Sequence, residues 1–220
     1  MSKGRQKTGL AVAASAEVIP FNPLDKENLG ASVTRALLAQ TERPLADLPA
    51  FRGCGIYALY YSGAHPAYMG LASVDADDPR RCPIYVGKAI PDGARKGGGL
   101  IDGSRSKKLH QRLQEHAESL QQAENLALAD FSCRYIVVDD IWIPLGESLL
   151  IARFAPVWNS VIEGFGNHDP GRRRYEGLRP IWDVMHPGRP WAMRCRARSE
   201  ADSQTALQAQ AISYLCQHLA

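Results

Sequence analysis

Gly55-Ile56-Tyr57-Ala58-Leu59-Tyr60-Tyr61 is the stretch on which the reading of this chain turns. It is rich in aromatic residues and apolar at odd and even positions alike, the pattern of a central strand buried on both faces. The short run Ile84-Tyr85-Val86-Gly87 has the same character and predicts a hairpin partner. The connection from Ser62 to Pro83, of roughly 20 residues, exceeds a tight turn and must be an elaborated excursion.

Working outward, Lys107 to about Glu124 reads as a strong helix, with Leu109, Leu113, Ala117 and Leu120 forming an apolar stripe. Arg112 and His116 sit four residues apart on it, so they lie one above the other beside that stripe and can converge on one point. Phe131 to Val138 reads as a third strand, ended by Asp139-Asp140. Gly146 to Ala155 reads as a helix stopped by Pro156, which puts Glu147 in its first turn, where the helix dipole favours a carboxylate. Beyond Asn159, Gly164 to Gly171 is a loop, an arginine block follows, and Ala201 to Leu219 is a terminal helix.

Residues 1–50 carry few strand signals, four prolines as punctuation (Pro20, Pro23, Pro44, Pro49) and one helix from about Leu29 to Gln40, so they read as an extended arm. Ala89 to Ser106 is rich in glycine and charge; it is not a phosphate-binding P-loop, because Gly87-Lys88-Ala89 lacks the hydroxyl that motif needs. The fold expected is α+β: a small three-stranded, mainly antiparallel sheet flanked by helices, with N- and C-terminal extensions and a Gly/Arg-rich insertion. The organisation expected is an arm (1–50), a core (51–165) with an embedded insertion (89–108), and a basic C-terminal extension (166–220) ending in a helix.

A net charge of +3 over 220 residues hides an alternation. From Arg80 to Arg112 nine Lys or Arg stand against Asp92 and Asp102, and from Arg172 to Arg198 eight Arg stand against Glu176 and Asp183. Between them, from Glu115 to Glu147, seven carboxylates face the single base Arg134. Two basic blocks on a near-neutral chain suggest polyanion contact through dedicated surfaces, solvated faces being the plainer alternative. Five cysteines without a Cys-x-x-Cys pair argue against a zinc cage or a disulfide framework and favour the cytoplasm. The Ala/Val stretch near the N-terminus is interrupted by Ser15 and Glu17, and no run reaches the roughly 18 apolar residues of a membrane span, so a soluble, unprocessed protein is expected.

Taken singly, Tyr57 and Tyr85 read as strand-edge tyrosines, Arg112 and His116 as helix-surface residues and Glu147 as a dipole-favoured carboxylate. Their joint order, Tyr57, Tyr85, Arg112, His116, Glu147, Asn159, on strand, strand, helix, helix and beyond, resembles the GIY-YIG nuclease superfamily. The resemblance covers roughly Gly53 to Val161; valine in Tyr85-Val86-Gly87 is a conservative departure, and the excursion between the motifs is long for the superfamily. The compact chain is most similar to the type II restriction endonuclease branch, on the Arg112/His116 pairing, the Glu147-to-Asn159 spacing and the Gly164-to-Gly171 loop.

The resemblance implies that Tyr57, Tyr85, Arg112, His116, Glu147 and Asn159 are catalytic, that Glu147 holds one Mg²⁺, with Mn²⁺ able to substitute, and that Tyr57 is the general base. A phenol with a pKa near 10 is only about 0.1% ionised at neutral pH, so it needs help. Neutral His116 can accept the phenolic hydrogen while Arg112 and the metal favour the phenolate, which is expected to lower the effective pKa of Tyr57. Arg112 also has the fork to bind the scissile phosphate. Tyr85 is expected to orient water or phosphate, and Asn159 to fix the surroundings of Glu147 or the backbone.

The partner implied is double-stranded DNA, with no membrane. One site per chain suggests a homodimer on a palindrome, and the arginine excess suggests a G·C-rich site. Candidate DNA contacts are Arg95, Lys96, Arg105, Lys107, Lys108, Arg172, Arg173 and Arg174. A structure-selective or mobile-element nuclease, or a DNA-binding protein with a degenerate site, remain alternatives at this point.

Overall fold

The computed structural model describes residues 22, 24–72, 81–91, 105–171 and 175–219. In chain order its elements are helix α1 (Lys26–Leu38), strands β1 (Arg43–Pro44) and β2 (Gly55–Tyr61), helix α2 (Met69–Ala72), strand β3 (Tyr85–Ala89), helix α3 (Lys108–Gln122), strand β4 (Phe131–Val137), and helices α4 (Ile143–Phe154), α5 (Val157–Ser160), α6 (Ile181–Met185) and α7 (Gln204–His218). The architecture is α+β, as the sequence pattern predicts. The sheet is antiparallel in the order β1-β4-β2-β3, with Tyr57 opposite Gly87 on one side and Tyr135 on the other.

The sheet has four strands where three were expected. The extra strand, β1, is two residues long and includes Pro44, too short to show a period and composed against strand propensity. It is tolerated because β1 lies at the sheet's edge, where proline's missing N–H costs no ladder bond.

All seven residues of β2 are buried, and their alternation sorts the molecule into two helical layers. Ile56, Ala58 and Tyr60 point to one face, with Leu37 of α1 and Ile143 and Leu150 of α4. Tyr57, Leu59 and Tyr61 point to the other, with Leu109, Leu113 and Leu120 of α3, Trp158, Trp182, and Leu207, Ala211 and Leu215 of α7.

Helix α4 begins at Ile143, before the expected Gly146, so Glu147 lies in its second turn rather than its first. Pro144 masks this start in the sequence, yet a proline in the first turn breaks no intrahelical bond. The dipole explanation of Glu147 weakens accordingly, since that effect fades beyond the first turn. A Cβ at Gly146 would lie 2.3 Å from Ile56 Cδ1, so this glycine lets α4 settle closely on β2 and brings Glu147 to the sheet.

The excursion after β2 carries Tyr68, whose hydroxyl lies 2.7 Å from His186 Nε2, while His186 Nδ1 lies 2.9 Å from Asn125 Oδ1. This ties the excursion to the segment after α6. Among the described residues no helix is long and apolar enough to cross a membrane.

His65, His116, His168 and His186 are each held below the ordinary imidazole value of 6.5, burial being the largest cause in every case. A depressed folded-state value means that the unfolded chain binds more protons once the pH drops below about 6.5. The stability these groups contribute is therefore present above that pH and lost as it falls. The melting temperature should hold steady from pH 8 to 7 and decline from about pH 6.5 to 5; a rise over the acid range would contradict this.

Candidate functional site

Tyr57, at the centre of β2, points to the α3 face with no solvent exposure. Its hydroxyl lies 2.6 Å from Nε2 of His116, itself 1% exposed. The apolar stripe of α3 faces the sheet, and this turns the His116 flank towards β2. Phe165 covers the imidazole from the other side, stacked at 4.5 Å and 17°. Tyr85 meets both rings edge-on, His116 at 5.4 Å and Phe165 at 5.1 Å.

Arg112, one turn before His116, is held by three partners. Its Nη1 donates to Glu115 Oε2 at 2.9 Å and contacts His168 Nε2, and its Nη2 donates to the Gly166 carbonyl at 2.6 Å. Its remaining N–H groups face the Tyr57 and Tyr85 hydroxyls.

Glu147 comes from the opposite layer and reaches the edge strand β3, where Oε2 pairs with Nζ of Lys88. Its side chain is 16% exposed. Asn159 binds the same strand from outside: its Oδ1 accepts from the Val86 N–H at 2.8 Å and its Nδ2 donates to the Val86 carbonyl at 2.9 Å. The backbone N–H of Trp158 donates to the Ile84 carbonyl at 3.0 Å. These contacts satisfy the outward backbone groups of Val86 and the Ile84 carbonyl as another strand would.

The two glycines of the motifs have different steric reasons. A Cβ at Gly55 would lie 2.0 Å from the Ile136 carbonyl oxygen of β4. A Cβ at Gly87 would lie 2.4 Å from the Tyr57 hydroxyl and 2.9 Å from the Tyr85 ring. Gly87 thus leaves the space in which the two tyrosines meet. The six motif residues gather around the Tyr85–Gly87 stretch of one edge strand, with Tyr57, Tyr85, Arg112 and His116 on one face, Glu147 reaching from the other, and Asn159 on the rim.

A family model described as the Eco29kI GIY-YIG domain matches residues 49–214. The chain belongs to this family of type II restriction endonucleases. The match runs past the Gly53–Val161 stretch that carries the motifs and ends in α7. A search of curated proteins found no match.

As a GIY-YIG nuclease the chain hydrolyses DNA, and its site has an electrostatic character that the motifs do not reveal. Burial pushes the Tyr57 phenol well above its ordinary value; Tyr85 adds to this, and Arg112 opposes without overcoming it. Arg112 by itself therefore does not bring this phenol below its ordinary value. Burial also holds His116 well below its ordinary value, reinforced by Arg112, His168 and Arg189. Tyr57 is thus protonated and His116 neutral near pH 7. Arg112 can only donate to the Tyr57 oxygen, and a neutral His116 offers Nε2 as an acceptor for the phenolic hydrogen.

Among the described residues no three His, Cys, Asp or Glu side chains cluster as a metal cage. One partly exposed carboxylate fits a hard cation that keeps most of its waters, as Mg²⁺ does, and Glu147 is the residue that would hold it. Lys88 now shares that carboxylate and would have to release it.

Of the candidate DNA contacts, Lys108 opens α3, the helix that carries Arg112, with Lys107 at its N-cap and Arg105 just before it. Arg95, Lys96, Arg172, Arg173 and Arg174 lie outside the described residues. Sequence reasoning missed Lys88, Phe165, His168 and Arg189. Lys88 was legible as a charge directly after the second motif, and Phe165 as an isolated aromatic between Gly164 and Gly166. Nothing in the sequence separates Arg189 from its arginine-rich surroundings.

Gly87→Ala should displace the Tyr57 hydroxyl and cut cleavage by about 100-fold or more, the scale of a 1 Å misplacement. The overpacking should cost only about 1–3 kcal/mol of stability. Single-turnover cleavage and thermal melting of the variant check both; unchanged cleavage would refute the steric account of this glycine.

Proposed function

We propose that this chain is a Mg²⁺-dependent type II restriction endonuclease that acts in the cytoplasm as a homodimer on a specific, palindromic, G·C-rich site in double-stranded DNA. It leaves 5′-phosphate and 3′-hydroxyl ends. The observation that carries the reading is the buried Tyr57–His116 hydrogen bond with Arg112 beside it, on a sheet edge that also presents Glu147.

A water in line with the leaving 3′ oxygen gives its proton to the Tyr57 oxygen as the Tyr57 hydrogen passes to His116 Nε2. No phenolate has to form beforehand, so the raised phenol value is not an obstacle. The water oxygen forms its bond to phosphorus, the P–O3′ bond breaks, and the 3′ oxygen takes a proton from solvent. Arg112, whose guanidinium lies beside the Tyr57 and Tyr85 hydroxyls, neutralises the non-bridging oxygens as charge builds. Glu147 would hold Mg²⁺, which when bound would supply Lewis-acid polarisation of the phosphoryl group. Tyr85 orients the water or phosphate beside Tyr57, and Asn159 fixes the backbone of β3. Two chains related by a two-fold axis place one such site on each strand of a palindrome.

Plasmid digestion in Mg²⁺ with mapping of the ends tests this. Cuts at one recurrent palindrome are expected, and cuts at scattered unrelated sequences would reject specific restriction. Tyr57→Phe and Glu147→Ala should each abolish cleavage while still binding DNA in a gel-shift assay; full cleavage by either variant would sink the mechanism.

A further inference from the structure

Arg189 lies 30 residues beyond Asn159 in an arginine-rich stretch, yet it is 1% exposed. All five of its N–H groups have partners. Nε and Nη2 clamp the Asp183 carboxylate at 2.6 and 2.5 Å. Nη1 donates to the carbonyls of Phe165 and Asn167 at 3.0 and 3.1 Å, and Nη2 donates to that of Gly164 at 3.0 Å. The guanidinium lies over the Trp182 ring at 4.5 Å and near the Trp191 ring at 4.8 Å.

Three carbonyls of one short loop thus converge on one buried cation, and that loop supplies two contacts to the site: the Phe165 ring on His116 and the Gly166 carbonyl on Arg112. The segment carrying Arg189 also holds α3 itself. Its Pro187 carbonyl accepts from the Glu124 N–H at 2.8 Å, and Gly188, at φ 140°, passes so close to the end of α3 that a Cβ would lie 1.7 Å from the Gln122 carbonyl oxygen. Arg189 therefore joins the helix that carries Arg112 and His116 to the loop that packs against both.

We propose that Arg189, oriented by Asp183, is a positioning residue of the cleavage site: it holds the Gly164–Asn167 loop so that Phe165 seals His116 and the Gly166 carbonyl aims Arg112. This rests on the nuclease reading above. The residue type follows from the task, because only a planar fork with five donors reaches a carboxylate and three divergent carbonyls at once. Lysine offers three donors on one atom and cannot span them.

The test compares the full-length wild type with Arg189→Lys and with the double variant Asp183→Leu/Arg189→Met, which removes both charges and leaves neither buried alone. Each is assayed in Mg²⁺ on cognate plasmid, well below its own melting temperature. Both variants should bind DNA as the wild type does but cleave about 100-fold more slowly in single turnover. The pH–rate profile adds a readout that a purely structural role would not move. With the loop released, His116 gains solvent, its pKa rises towards 6.5, and the acid limb shifts to higher pH. Wild-type rates and an unmoved acid limb in either folded variant would overturn the proposal. A wild type that cleaves nothing in Mg²⁺ would instead condemn the nuclease reading.

Discussion

The 2.6 Å hydrogen bond between the Tyr57 hydroxyl and His116 Nε2 is formed where water does not reach, and its chemistry follows from that. Burial disfavours charge on both partners, so it raises the phenol and lowers the imidazole together. The pair is stable only as neutral tyrosine and neutral histidine, and a proton crosses it only when another charge favours the products. Arg112 supplies a fixed positive charge beside the phenol. The surrounding fold is arranged to keep this bond dry and aimed: β2 buried on both faces, Gly87 bare of a side chain, α3 pressed to the sheet, and Phe165 stacked on the imidazole.

A second pair in the same molecule shows that the bond alone does not make a site. Tyr68 and His186 lie 2.7 Å apart, equally buried and shifted in the same directions. Neither shift has an arginine or a carboxylate among its causes, and Asn125 occupies the other imidazole nitrogen. That pair has nothing to stabilise a transferred proton or to hold a phosphate, and it joins two segments of the core. What distinguishes Tyr57 is its place one strand from the sheet edge, where Arg112 and Glu147 arrive from opposite layers.

The strands β2, β3 and β4, helix α3 and the ordered set of six residues were legible in the sequence, because each rests on a local period or a fixed chemical identity. The two-residue β1 was not, since no period fits in it, and Pro144 hid the true start of α4. The direction of the Tyr57 pKa was also out of reach: a sequence names the arginine that lowers it but not the complete burial that outweighs that arginine. Arg189 is the clearest loss. As one arginine among eight it is not singled out, and only its carbonyl and carboxylate partners reveal an internal role.

The chemistry of the site therefore turns on the protonation state of one imidazole. Nitrogen NMR of the His116 side chain in the free protein measures it directly, without DNA or metal. A neutral ring at pH 7, with the proton on Nδ1 and Nε2 an unprotonated hydrogen-bond acceptor, persisting as the pH falls below 6.5, is the result expected. An imidazolium at pH 7, or a neutral ring with its proton on Nε2, would leave Tyr57 without an acceptor and contradict the account.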